Sequence, residues 1–128
     1  MSRPFLVIGA VFGFLGVAAG AFAAHGLRAM IPPDLLTVFE TGARYQMYHA
    51  LALLAVAWLS SDMPSRWITA SGWLFVAGTV LFSGSLYALA LTSNSHLGLI
   101  TPFGGLAFLA GWMSLGIGAW DGRRSEPS

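Results

Sequence analysis

The chain has 128 residues, 56% of them hydrophobic and 9% charged, with a formal net charge of +1. A soluble domain carries about 25% charged residues, and a chain this short has too little interior to hide so many apolar side chains from water. The near-neutral charge gives no reason to expect nucleic acid or an acidic partner, and the lack of cysteine excludes disulfides, zinc–thiolate sites, iron–sulfur clusters and a cysteine nucleophile.

Lipid accepts apolar side chains on the outside of a fold, and the mean hydropathy of +0.73 agrees with that solvent. A spanning helix needs about 20 mostly apolar residues. The stretch 5–24 has no charge and forms the first predicted span. Met1-Ser2-Arg3, an apolar run and Ala21-Phe22-Ala23 also resemble a cleavable signal peptide, but the run of about 20 residues exceeds the usual 7 to 15 of such a region. A retained span is therefore expected.

The second span is less clean. The apolar stretch 47–60, interrupted by His49, is too short alone. Pro32-Pro33-Asp34 reads as a helix start, with proline in the first turn and an acidic side chain at the positive end of the dipole. A helix from about Asp34, crossing over 41–60, is predicted. The stretches 67–91 and 97–120 form the third and fourth spans. The loops 61–66 and 92–96 are short, and a polar tail from Asp121 to Ser128 is expected to fray. The whole chain, 1–128, reads as one all-α membrane domain, a four-transmembrane-helix bundle.

Arginine placement orients it. Arg3, Arg66, Arg123 and Arg124 fall on one side, Arg28 and Arg44 on the other. The positive-inside rule then puts both termini in the cytoplasm, and Trp58, Trp67 and Trp120 form an aromatic belt at that interface.

Small residues recur at helical spacing. Gly9, Gly13, Gly16, Gly20 and Ala23 do so in the first span, and Gly104, Ala107, Gly111, Ser114 and Gly118 in the fourth. Ser71, Gly78 and Ser85 repeat every seven residues in the third, as do Ala43, Ala50 and Ala57 in the second. Such seams let helices approach closely in lipid, where the hydrophobic effect does little to join them. The heptad spacing favours left-handed crossings. A glycine-lined pore is the competing reading of the same residues.

The second helix carries polar groups through its outer half: Glu40, Arg44, Tyr45, Gln46 and His49. At 1.5 Å per residue, His49 falls near the middle of a core about 30 Å thick. Depth matching brings it level with Gly16, Thr79 and Leu109, and brings Arg44 level with Gly20, Ser83 and Gly105. Glu40 and Arg44 are four apart and can pair. Ionisable groups inside a membrane are functional candidates. His25, Glu40, Arg44, Tyr45, Gln46, His49, Thr79 and Ser83 are therefore the candidate polar cluster. The plainer reading, favoured here, is a neutral core His49 hydrogen-bonded to Thr79 or a backbone carbonyl, fixing helix register. His25, His49 and His96 all lie toward the outer side, but His49 is too deep to join the other two in a metal site. Ser83 as an intramembrane nucleophile would need His49 beside it, and no sequence feature puts it there. No metal, cofactor or catalytic residue is expected.

Four phrases in order, Gly20-Ala21-Phe22-Ala23-Ala24-His25-Gly26-Leu27, Tyr45-Gln46-Met47-Tyr48-His49-Ala50-Leu51-Ala52-Leu53-Leu54, Phe82-Ser83-Gly84-Ser85-Leu86-Tyr87 and Ile100-Thr101-Pro102-Phe103-Gly104-Gly105, resemble the inner-membrane family called domain of unknown function 423, the YgdD-like small membrane proteins. Ala23 stands where the family's glycine is expected. The resemblance implies a multi-pass protein of the bacterial inner membrane and supplies no activity or substrate. A non-enzymatic structural or accessory subunit, with the bilayer and a homo-oligomer or larger membrane complex as partners, is the first expectation. A small transporter or channel using the polar outer half of the second helix is the alternative.

Overall fold

The computed structural model describes residues 2–125, with the side chains of 123–125, and so of Arg123 and Arg124, outside the described set. Four long helices account for nearly all of it: α1 (Arg3–Ala24), α2 (Pro33–Asp62), α3 (Arg66–Thr92) and α4 (Thr101–Ser125). Three helical segments, Arg3–Ala24, Arg66–Thr92 and Ser95–Gly122, are long and apolar enough to cross a membrane.

The helix starts follow local chemistry. Pro4 and Pro33 sit in first turns, where a missing N–H costs nothing and the fixed φ suits a helix. Ser65 caps α3 by accepting from the Trp67 N–H at 3.1 Å. Two expected boundaries move. The fourth helix begins at Thr101 rather than Leu97, because Pro102 suits a first turn and the preceding segment, Ser95–Leu99, is wound as a 3-10 turn under an Asn94 side-chain cap. The tail expected to fray from Asp121 continues the helix to Ser125; its last residues, 126–128, lie outside the described ones. Ser93 ends α3 with φ of 59°, the left-handed conformation that closes a helix.

α3 also contains a π-helical turn, Thr79–Ser83, between two α-helical stretches. Such turns insert one extra residue and often mark specialised sites. No feature of the sequence announced it.

α1 and α2 run antiparallel: the Ser2 N–H donates to the Ala57 carbonyl at 3.1 Å, and Gly9 abuts Ala50, Leu53 and Leu54. α3 and α4 run antiparallel in a tighter register. Facing pairs are Ile68 with Gly118, Phe75 with Gly111, Gly78 with Phe108, Phe82 with Gly104 and Ser85 with Thr101. Steps of seven, three, four and three residues up α3 are matched by equal steps down α4. Leu53, Val56, Ala57, Ile68 and Phe75 are fully enclosed and join Phe5 and Phe108 in one core cluster. A second cluster, around Leu27, Phe39 and Ala90, closes the opposite end.

The glycines divide into two groups. A Cβ at Gly111 would lie 2.7 Å from Phe75 Cε1, and one at Gly118 would lie 2.7 Å from Ile68 Cγ1. Gly78 leaves no room beside the Phe108 ring, and Gly104 leaves none beside the Phe82 backbone. In α1, Gly9 is tight, Gly16 meets Met47 Sδ at ordinary contact distance, and Gly13 reaches only the Ala50 Cβ at 4.0 Å. Gly20 has nothing within 4 Å, so its expected packing role is corrected: it opens onto a recess that it lines with Ala43, Arg44 and Met47 of α2. Three further tight glycines were missed, Gly42 against Tyr87, Gly72 against the Phe5 ring and Gly122 against Met63.

Candidate functional site

The polar residues of α2 do not gather into one cluster. Helix periodicity sends them to different neighbours: Gln46 and His49 turn into the bundle, while Glu40, Arg44 and Tyr45 stay on its surface.

Gln46 is the main polar tie among three helices. Its Nε2 donates to the Phe12 carbonyl of α1 at 2.9 Å, and its Oε1 accepts from the Tyr87 hydroxyl of α3 at 2.6 Å. Tyr87 in turn lies against Phe39, with ring centroids 4.8 Å apart. Buried amides are tolerable in an apolar core when both ends are used, as here.

His49 is held with equal completeness. Its Nδ1 lies 2.7 Å from the Tyr45 carbonyl, which only accepts, so Nδ1 carries the proton. Nε2 is then the lone-pair nitrogen and accepts from the Trp112 indole N–H of α4 at 3.1 Å. The ring stacks on Phe108 with centroids 3.6 Å apart and an interplanar angle of 6°. Phe75 packs against another side at 5.3 Å. The expected carbonyl partner is present, but the expected Thr79 partner is not. Thr79 is 4% exposed, and its Oγ1 has no hydrogen-bond partner. It sits at the start of the π-helical turn, where the helix register shifts.

Ser83, at the end of that turn, donates to the Gly42 carbonyl of α2 at 2.7 Å. It is thereby a helix clasp, and it is not beside His49. Two residues on, Ser85 donates to the Phe82 carbonyl at 2.9 Å. Its single proton is thus spent, and it accepts from the Thr101 hydroxyl at 2.6 Å. At the far end, Ser114 of α4 donates to the Trp67 carbonyl at 2.6 Å. Serines thus bridge α3 to α2 and to α4.

Besides Tyr45, three members of the candidate set stay outside. His25 is exposed at the end of α1. Glu40 and Arg44 line a surface recess of about 360 Å³ with Gly16, Gly20, Met47 and Tyr48. Among the described residues, no three acidic or histidine side chains come close enough to hold a metal. The residues that sequence reasoning missed are Tyr87, Trp112 and Thr101. The signal for the first two was available: an indole or phenol deep in an apolar span needs a partner for its polar atom.

The family model described as a protein of unknown function, DUF423, matches residues 19–105. A Bacillus subtilis relative, the UPF0382 membrane protein YwdK, is 48% identical over 118 residues, covering 91% of this chain and 96% of its own. A Haemophilus influenzae UPF0382 membrane protein is 44% identical over 125 residues, covering 96% and 98%. The Escherichia coli UPF0382 inner membrane protein YgdD is 42% identical over 118 residues, covering 92% and 90%. No solved structure matches the chain.

Proposed function

This chain belongs to the DUF423 family of membrane proteins, and on that premise we propose that it crosses the bacterial cytoplasmic membrane four times and serves there as a non-enzymatic structural or accessory subunit. α2 is the span that composition alone leaves open. It supports the reading that α2 lies antiparallel along α1 and that its 30 residues extend about 45 Å. α1 and α3 both begin at the Ser2–Ala57 end of the bundle, so a crossing α1 needs α2 to return the chain. The left-handed crossing and the cytoplasmic placement of both termini follow from the heptad seams and the four-to-two arginine bias.

One observation carries the functional part: among the described residues, the buried polar side chains other than Thr79 are spent on groups within the bundle. Gln46, His49, Ser83, Ser85 and Ser114 each bridge or clasp backbone and side chains already present. That is the economy of a scaffold, because a catalytic or conducting site keeps polar groups available for its substrate. The transporter alternative finds less support, since both nitrogens of His49 are engaged.

The chain has no native cysteine, so single cysteines at Asp34 and Ser61 report topology cleanly. Labelling of the two from opposite sides of the membrane is expected, and labelling from one side would refute the second crossing. Gentle native purification should recover a defined oligomer or a stable complex. Monomer alone, without partners, would refute the accessory role.

A further inference from the structure

Along the outer flank of the α1–α2 pair the helices leave an open furrow of about 500 Å³, lined by Ala10, Gly13, Phe14, Met47, Leu51 and Leu54 among others. It exists because Gly13 faces Ala50, small against small, with nothing nearer than 4.0 Å. The furrow runs along α1 from Gly9 to Ala18, about 14 Å at 1.5 Å per residue. On α2, Arg44 stands ten residues before Leu54 at the furrow's far end, about 15 Å, which one acyl chain can cover in a hydrocarbon core about 30 Å thick.

The furrow does not end blindly. Met47 belongs both to it and to the recess holding Gly20, Arg44, Glu40 and Tyr48. From the apolar floor toward the α1–α2 connection, the order is hydrocarbon, then Arg44, then Glu40 one helical turn further out. Glu40 in turn borders the hollow that contains Arg28 and Thr37. A guanidinium matches a phosphate diester with paired hydrogen bonds, and a carboxylate beyond it matches an ammonium.

We propose that this furrow binds one acyl chain of a phospholipid with a phosphoethanolamine head group, its phosphate on Arg44 and its ammonium on Glu40. The apolar length, the position of the cation at the end of that length, and the charge order all match this amphiphile. Phosphatidylglycerol offers Arg44 the same phosphate but brings no cation to Glu40. A second copy of the chain would bring an apolar helix against the two charges of the recess.

The test is native mass spectrometry of the full-length protein, released from bilayers containing equal parts of phosphatidylethanolamine, phosphatidylglycerol and phosphatidylcholine. One phosphatidylethanolamine per chain is expected to survive release. Gly13→Leu, which fills the furrow, and Arg44→Ala, which removes the phosphate ligand, should each lower its retention about tenfold. Glu40→Gln should keep a lipid bound but erase the head-group preference. Leu106→Ala, on the exposed flank of α4, should change nothing. Equal retention of the three lipids by the unaltered protein, preferential retention of phosphatidylglycerol, or undiminished binding in both Gly13→Leu and Arg44→Ala would overturn the proposal. So would a dimer that Gly13→Leu dissolves. Circular dichroism of each variant keeps a folding failure distinct from a lost site.

Discussion

The α3–α4 pair and the α1–α2 pair carry the same small-residue spacing and put it to different use. Across α3–α4, four seam glycines face bulky residues: Gly118 takes Ile68, Gly111 takes Phe75, Gly78 takes Phe108, and Gly104 takes the backbone and Cβ of Phe82. Three of the four knobs come from α3 and one, Phe108, from α4, and together they fill the seam. Across α1–α2, Gly13 faces Ala50, and Gly20 faces no neighbour within 4 Å. There the seam stays partly open, and the furrow is the result. Glycine spacing therefore determines only where a helix can be approached; the opposing residue decides whether the gap is closed. Polar ties compensate on the looser side, where Gln46 joins α1 to α2 and α3 through two hydrogen bonds.

Substitutions can break this contrast, the largest effects falling on the filled seam. Phe75→Ala empties the space over Gly111 and uncovers one side of His49, and a loss of about 3–5 kcal/mol is expected. Gly104→Leu drives a side chain into the Phe82 backbone, which cannot rotate aside, and should cost about 3 kcal/mol or prevent assembly. Thermal melting in detergent, followed by circular dichroism, measures both; a change of melting temperature within error for either would remove the filled-seam account. Gln46→Leu should cost less, about 1–2 kcal/mol, since buried hydrogen bonds in lipid are worth only about 1 kcal/mol each. The partner variant Tyr87→Phe should cost about half as much, and a double mutant adding the two losses in full would show that the bond is not shared. Gly20→Ala, on the open seam, should lie within about 0.5 kcal/mol of the unaltered protein and favour stability slightly, through helix propensity. A loss there matching that of Gly104→Ala would erase the distinction between the two pairs.

His49 separates a structural from a functional histidine. His49→Phe keeps the stack on Phe108 but strands the Trp112 indole, and His49→Ala loses both. Stability should fall in that order, the first by about 1–2 kcal/mol and the second by more. With the other four tryptophans replaced by phenylalanine, a blue shift of Trp112 fluorescence in His49→Phe would report loss of the hydrogen bond to apolar surroundings; an unchanged spectrum would refute the bond.

Much of this was legible beforehand, for physical reasons that act within one helix. Uncharged runs of about 20 residues, prolines in first turns and glycines at three- and four-residue spacing determine helix existence, helix starts and the faces available for packing. The heptad Ser71, Gly78 and Ser85 lies buried as its spacing predicted, and Ala70, Ala77 and Gly84 lie outside. That His49 would find a carbonyl was likewise foreseeable, because an unpaired ring nitrogen in hydrocarbon is costly. What only the tertiary structure decided depends on how far each helix rotates and slides against the next. A slide of one turn puts Trp112 rather than Leu109 at the His49 ring, and an extra residue in a π-helical turn sends Ser83 to the Gly42 carbonyl while leaving the Thr79 hydroxyl without a partner. Local spacing cannot encode those offsets, since they arise from the joint packing of side chains on several helices at once.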